Sequence, residues 1–372
     1  MENVDFLIVG GGISGTTAAE TIRVQDPASR ILIIEDENYP LYSRVKIPFY
    51  VKGERAREDI FLRDFKHYSD KNIEYLCGKK VVSLDPKNQF VKTEDGTGFH
   101  YGKLLLTTGG VPKKLNKYKN EHSLQTIEDA DKVVEDVKKA KKGVIIGSGF
   151  IALEFVDIFS HYGLETHLCV SKEGFWANFL QKEVSDLICK LLKERGVKIY
   201  YGEDSPFVTD EDTIVGTGIG LDLSKSFFEG AGLNFDAGLV VDQTLKTDFD
   251  NVYASGDLAK FFSKKLDRYV RYGNWTNAAV SGKYAGFNML SKNEVFDNLS
   301  AYSITHDKLS IVFLGFAGLD GSTEVKTKVI SDRECIQYFI RRGKLDGCIL
   351  VNRPQDRQNL QNVIESREEF AL

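Results

Sequence analysis

A short apolar strand, a turn of glycines and a helix occur twice in this chain, and that repeat restricts the fold more than any other feature. Residues 4–9 run into Gly10, Gly11 and Gly12, residues 13–25 read as a helix stopped before Pro27, and residues 31–34 read as a second buried strand. The order returns at 143–146, the turn 147–149, a helix over 150–160 that stops at Gly163, and a strand over 166–170. Strand, glycine turn, helix and strand form a right-handed βαβ unit with parallel strands. Two such units in 372 residues predict an α/β protein of two or three domains.

The glycine spacing carries chemistry. Gly10, Gly12 and Gly15 fit G-x-G-x-x-G, and Glu35 stands 20 residues past Gly15 at the end of the next strand. In that pattern the first glycine permits a tight turn, the second admits a pyrophosphate, and the third lets helix and strand pack closely. The helix N-terminus then faces phosphate, and the acid accepts from a ribose. A dinucleotide site is expected. Gly147, Gly149 and Ala152 repeat the pattern, with Glu154 on the same helix. Here the next strand ends in Val170, where an NAD site usually carries a carboxylate. Ser171 and Lys172 could hold a 2′-phosphate and Glu173 would repel it, so NADH and NADPH both stay open.

Composition excludes several classes. The net charge of -5 is mild for this length and implies neither nucleic acid nor an anionic membrane as partner. The five cysteines, Cys77, Cys169, Cys189, Cys335 and Cys348, are scattered with no C-x-x-C, which argues against a disulfide framework or a metal site and for buried thiols in a reducing compartment. No apolar run approaches membrane-spanning length, and the first residues enter a strand rather than a leader, so a cytoplasmic protein is expected. Residues 103–106 read as a strand running into Thr107, Thr108, Gly109 and Gly110, and 127–142 as a polar helix. Past residue 290, runs at 309–316, 325–330, 334–341 and 347–351 read as strands before a terminal helix, which gives a small α+β domain.

Residues 247–257, Thr-Asp-Phe-Asp-Asn-Val-Tyr-Ala-Ser-Gly-Asp, resemble the second FAD motif of the pyridine nucleotide-disulphide oxidoreductase superfamily. Thr107-Thr108-Gly109 is similar to the superfamily's connection into the nucleotide domain, residues 216–220 (with Gly218) to its return crossing, and Asn274-Trp275-Thr276-Asn277-Ala278 to the helix after Asp257. The resemblance covers the whole chain. It implies two Rossmann-like dinucleotide-binding domains in a glutathione reductase-like arrangement plus the small C-terminal domain. The expected divisions are 1–112 and 236–296 for FAD, 113–235 for NAD(P)H, and 297–372. It also implies FAD and NADH or NADPH as cofactors, with Gly10, Gly12, Ser14, Gly15, Glu35, Arg44, Thr108, Gly109, Asp257 and Trp275 toward the flavin nucleotide. Gly147, Gly149, Ala152, Glu154, Ser171, Lys172 and Gly218 fall toward the nicotinamide nucleotide, with Glu154 orienting nicotinamide, Phe150 covering the flavin until nicotinamide displaces it, and Lys46 near the flavin.

Disulfide reductases of that superfamily carry cysteine beside the flavin. The matching stretch here, residues 40–50, has no thiol, and the single-cysteine position falls on Val45. Tyr42-Ser43-Arg44 instead resembles the Tyr-x-Arg motif of the rubredoxin and ferredoxin reductase branch, although valine follows where that branch commonly has proline. The short stretch 200–214 fits the same branch. Without a protein thiol, electrons must leave the flavin directly. The resemblance therefore implies an NAD(P)H oxidoreductase that reduces a small acidic electron carrier, rubredoxin or ferredoxin. Basic clusters at 113–119, at Lys264, Lys265, Arg268 and Arg271, and at Arg341, Arg342 and Lys344 are the candidates to steer it. An oxidase acting on oxygen or a small acceptor, and a redox-responsive protein of the apoptosis-inducing-factor type, remain open, as do monomer and homodimer.

Overall fold

Strand ends in register, more than the helices around them, fix where ligand-facing residues collect in this protein. A computed structural model describes residues 2–172, 174–176, 178–202, 210–224 and 226–372. By its internal contacts the chain divides into two compact units. One comprises Met1–Ser43, Arg57–Val111 and Asp222–Asn298, and the other Arg44–Ala56, Pro112–Leu221 and Leu299–Leu372.

The first unit is built on a seven-stranded sheet in which Ile73–Leu76, Ile31–Ile34, Glu2–Val9 and Gly98–Leu106 lie side by side in parallel, with Val252–Ala254 against the end of the last. Val81–Asp85 and Phe90–Thr93 continue the sheet antiparallel. Leu7, Ile8, Ile31, Ile33 and Leu104–Leu106 are buried almost completely, as expected for parallel strands covered on both faces. Each such side chain contributes about 1.5–3 kcal/mol of burial. The register pairs Val9 with Ile34 and with Leu106, and Leu106 with Ala254. Gly10, Glu35, Thr107 and Ser255 therefore emerge along one edge of the sheet.

The second unit repeats the plan with a five-stranded parallel sheet, ordered Lys198–Tyr201, Glu165–Val170, Lys142–Gly147, Thr213–Gly218 and Glu121–His122. Gly147 pairs with Gly218, so both end at the same edge. The unit also contains an antiparallel sheet of Ala301–His306, Leu309–Gly315, Lys344–Val351, Cys335–Arg341 and Glu324–Val329, with helix Arg357–Ser366 laid on it through Leu360 and Ile364. Gln337, fully buried, ties this sheet to the nucleotide fold. Its Oε1 accepts from the Gln181 backbone N–H at 2.8 Å and its Nε2 donates to the Phe179 carbonyl at 2.7 Å.

Two sequence expectations change. The helix expected over 127–142 ends at Val137. Its start is fixed by a capping box, the Thr126 hydroxyl accepting from the Asp129 N–H at 3.1 Å, and its buried face is Ile127, Ala130, Val133 and Val137. Beyond Val137 come only lysines and one alanine, which offer no apolar face to bury, and Lys142 already belongs to the strand. Helix Lys182–Glu194, not foreseen, buries Val184, Ile188, Leu191 and Leu192 at helical spacing.

The most enclosed charge in the C-terminal sheet is Asp346. Its carboxylate accepts from Arg341 Nε and from Arg367 Nη2, each at 2.9 Å, and is wholly shielded from solvent. Arg341 was expected in a surface basic cluster. It is buried instead, because Asp346 compensates it inside the sheet. Asp346→Ala removes that buried partner carboxylate, and urea denaturation is expected to show a loss of about 3–5 kcal/mol.

Candidate functional site

Around the first glycine turn, backbone approaches are too close for side chains. Gly10 has φ +108°, and a Cβ there would lie 2.5 Å from the Thr107 carbonyl oxygen. A Cβ on Gly15 would lie 2.0 Å from the Gly10 carbonyl oxygen, whereas one on Gly12 meets nothing within 4 Å. The turn is thus locked from behind and open at Gly12, where helix Ile13–Gln25 begins without a side-chain cap. At Gly11, which the motif leaves unassigned, the Tyr75 hydroxyl lies 2.1 Å from the place of a Cβ, so any side chain there would displace the tip of that ring. Glu35 accepts from the Gly11 N–H, from Asp36 N at 2.9 Å and from Glu37 N at 3.2 Å. Burial, then the neighbouring Asp36 and Glu37 carboxylates, push its carboxyl up to about 8.

Asp257 reaches this edge on a 3₁₀ turn, Gly256–Leu258, after the strand Val252–Ala254. The Ser14 and Ser255 hydroxyls meet at 2.7 Å, and the Gly256 N–H donates to Ser281 Oγ at 2.9 Å. Helix Trp275–Met289 packs on helix Ile13–Gln25 across two glycines. A Cβ on Gly282 would stand 2.2 Å from the Ser14 carbonyl oxygen, and one on Gly286 2.8 Å from that of Ala18. Trp275 opens that helix behind Asn274, whose Oδ1 accepts from the Asn277 N–H at 3.0 Å. Arg271 donates to the Asp257 carbonyl at 3.1 Å, which turns one residue of a supposed surface cluster toward this loop. Gly109 is left-handed at φ +57° with open space beside it, and the buried Thr108 hydroxyl has no hydrogen-bond partner among the described residues. An open glycine turn, a carboxyl gathered on backbone N–H groups and an orphaned hydroxyl on one sheet edge fit a bound dinucleotide.

In the second unit, a Cβ on Gly147 (φ +137°) would lie 2.3 Å from the Gly218 carbonyl oxygen, and one on Gly218 2.8 Å from the Ala152 N atom. Ala152 is fully buried, which explains alanine as the third member of the motif. Gly149 faces Trp176, whose indole Nε1 is 3.7 Å from the place of its Cβ. The Phe150 ring sits among Trp176 and Tyr302, both at 5.0 Å between centroids, and Phe313 at 4.9 Å. Trp176 has φ +41°, a conformation unfavourable for a large side chain. Ser171 donates its hydroxyl to the Gly174 carbonyl at 3.0 Å, Lys172 is exposed, and Glu173 lies outside the described residues. Arg44 and Lys46 belong by contacts to this unit. Arg44 Nη1 donates to the Gln125 carbonyl at 2.5 Å, and Lys46 precedes helix Ile47–Val51.

Glu154 and Asp157, one turn apart on helix Phe150–His161, both contact His306, at 3.4 Å from Nε2 and 3.3 Å from Nδ1. No sequence motif marks His306. Burial alone would lower its pKa, but Asp157 and Glu154 outweigh burial and hold it at about 9. Burial likewise works against the Asp157 carboxylate, yet His306 and Lys52 keep it well below the usual range. All five cysteines are free, and Cys77 is half-buried rather than buried as expected. Val45 is 57% exposed. Among the described residues no His, Cys, Asp and Glu cluster suits a metal, and no helix is long and apolar enough to cross a membrane.

Residues 4–282 match the family model described as pyridine nucleotide-disulphide oxidoreductase, and the chain belongs to that family. It is therefore an FAD-dependent oxidoreductase that uses NAD(P)H. Relatives include the ferredoxin–NAD(+) reductase component of a 3-phenylpropionate/cinnamic acid dioxygenase from Photorhabdus laumondii, 26% identical over 98% of this chain and 97% of that one. NADH-rubredoxin oxidoreductase of Clostridium acetobutylicum is 23% identical over 100% of this chain and 97% of its own. The crystal structure of NADH:rubredoxin oxidoreductase from that organism superposes with a TM-score of 0.86 at 22% identity, covering 100% of this chain and 97% of that one. The covalent putidaredoxin reductase–putidaredoxin complex gives a TM-score of 0.86 at 23% identity, covering 99% and 94%.

The His306 shift has a sign. Its folded pKa, about 9, lies above the ordinary 6.5, so its stabilisation is complete below pH 6.5 and is lost as pH rises through 9. Unfolding free energy from urea titrations is expected to fall by up to about 3 kcal/mol from pH 6 to pH 10. His306→Gln is expected to flatten that slope.

Proposed function

We propose that this enzyme takes electrons from NADH and passes them to a small acidic electron-carrier protein of the rubredoxin or ferredoxin type. The observation that carries the reading is the missing thiol. Val45 stands exposed where a redox cysteine would be, and four of the five cysteines are buried away from solvent. Flavin supplies the needed chemistry when bound, since it accepts a hydride and releases electrons singly. The relatives whose names specify ferredoxin or rubredoxin reduction span nearly the whole chain and support the same reading.

The chain's own residues have these proposed roles. Gly10, Gly12 and Gly15 bring the first helix N-terminus to the pyrophosphate, Glu35 accepts from the ribose, and Ser14, Thr108 and Gly109 line the same edge. Asp257 holds the ribityl and pyrophosphate region, and Trp275 aims its helix dipole at the flavin ring. Gly147, Gly149, Ala152 and Gly218 seat the nicotinamide nucleotide, Phe150 yields to the nicotinamide, and Glu154 orients it. NADH is the proposed donor because the relatives that span nearly the whole chain are named for NAD(+) or NADH, and Lys172 is the residue that would have to recognise a 2′-phosphate. The divisions 1–112, 113–235, 236–296 and 297–372 remain our proposed domains, and the cytoplasm our proposed location. The lysines of 113–119 remain exposed and form the proposed steering patch.

In stopped flow, enzyme reduced by NADH is expected to reoxidise with rubredoxin or ferredoxin far faster than with air. Faster reaction with air would replace the carrier by oxygen, and slow reaction with every acceptor would favour a redox-responsive role. Asp257→Ala is expected to purify with substoichiometric FAD, and full flavin content would remove Asp257 from the site. Lys172→Ala is expected to leave the NADH KM unchanged, and a rise in KM for NADPH alone would assign it to phosphate recognition.

A further inference from the structure

We propose that His306 is a positioning residue for nicotinamide binding: by bridging Asp157 to Glu154 it fixes the carboxylate of Glu154 in one orientation. This rests on the reading of Glu154 as the side chain that orients nicotinamide. Glu154 and Asp157 lie three residues apart on one helix face, where like charges repel and would splay apart. The His306 imidazole stands between them, Nδ1 at 3.3 Å from Asp157 and Nε2 at 3.4 Å from Glu154, the latter an ion-pair contact in which the buried Nε2 makes no hydrogen bond among the described residues.

The two carboxylates are not equally supplied with cations. Asp157 has Lys52 Nζ at 2.9 Å and Arg195 Nη2 at 3.4 Å besides His306. Lys52 is shared with Glu54, also at 2.9 Å. Glu154 has His306 as its ion-pair partner among the described residues. Loss of the imidazolium therefore falls on Glu154, while Asp157 keeps two cations. With His306 protonated, three carboxylates (Glu54, Glu154, Asp157) face three cations (Lys52, Arg195, His306), and each side chain except Glu54 is less than a quarter exposed.

The hairpin that carries His306 is held to the same helix at a second point. Tyr302, on the same strand, and Phe313, on its partner, pack against Phe150 at the helix start. Four residues of strand cover about 13 Å and seven of helix about 10 Å, so the hairpin spans the face that runs from Phe150 to Asp157. His306 is fixed from behind by its pairing with Leu309, and its carbonyl accepts from Arg195 Nη1 at 3.4 Å. The C-terminal sheet is thereby an orienting support for a residue of the nucleotide fold.

The test is a double-mutant cycle with Glu154→Gln and His306→Gln, read as the Kd of NAD+ by calorimetry and as NADH KM and kcat. Each single substitution is expected to weaken NAD+ by about fivefold to tenfold, with kcat changed less, and the double variant to be no weaker than Glu154→Gln. Multiplying effects would overturn the proposal, since His306 would then act independently of Glu154. If Glu154→Gln weakens binding and His306→Gln does not, the proposal fails and the reading of Glu154 stands. If Glu154→Gln itself has no effect, that reading falls and the proposal with it. Should His306→Gln not fold, NAD+ affinity of the unaltered enzyme is expected to drop as pH passes about 9, and not in Glu154→Gln. A step that persists in Glu154→Gln, or its absence from the unaltered enzyme, would overturn the proposal.

Discussion

Parallel strand register is the constraint on which the first nucleotide site depends. Val9, Ile34, Leu106 and Ala254 end level with one another, so the residues that follow each of them appear on one edge although they come from four distant parts of the chain. A shift of one residue would point every side chain to the other face and separate Glu35 from the Gly11 N–H it accepts from. Glycines then hold the edge closed from behind. Gly10 against Thr107, Gly15 against Gly10 and Gly282 against Ser14 are approaches of backbone to backbone that no side chain can enter. What remains open is the space above Gly12, where the first helix presents unbonded N–H groups.

The second site uses the same device and differs in what surrounds it. Gly147 meets Gly218 at the corresponding edge, and buried Ala152 closes the helix onto it. Around its helix start, however, lie Phe150, Trp176, Tyr302 and Phe313, with Glu154, Asp157 and His306 one and two turns further on. Aromatic packing at one end and ion pairs at the other hold this helix against the hairpin of the C-terminal sheet.

How much of this could be read beforehand varies with the range of the interaction. The glycine turns, Glu35, Ala152 and Asp257 have local signatures, and their strands and helices fall where the spacing put them. Strands such as Val81–Asp85 and Phe90–Thr93 are half exposed and interrupted by lysine and serine, so neither apolar runs nor clean alternation mark them. The lysines after Val137 favour helix as readily as loop, so the sequence does not mark the end of the helix after Thr126, and only the next strand's claim on Lys142 decides the matter. Charge was hardest to place. Arg341 and Arg271 look like surface cations in the sequence, and one is buried on Asp346 while the other bonds the Asp257 loop.

By itself the sequence pointed to two dinucleotide-binding turns and to the glycines that shape them, because both follow from residue type at short spacing, whereas the lack of a relay cysteine was implied only by the family resemblance. Only the tertiary structure decided that Gly11 faces the Tyr75 hydroxyl, that Thr108 is an orphaned donor, and that His306 lies between Glu154 and Asp157. Those facts depend on pairs separated by scores of residues, and nothing in local spacing records which distant side chain the packing of sheets and helices will bring into contact.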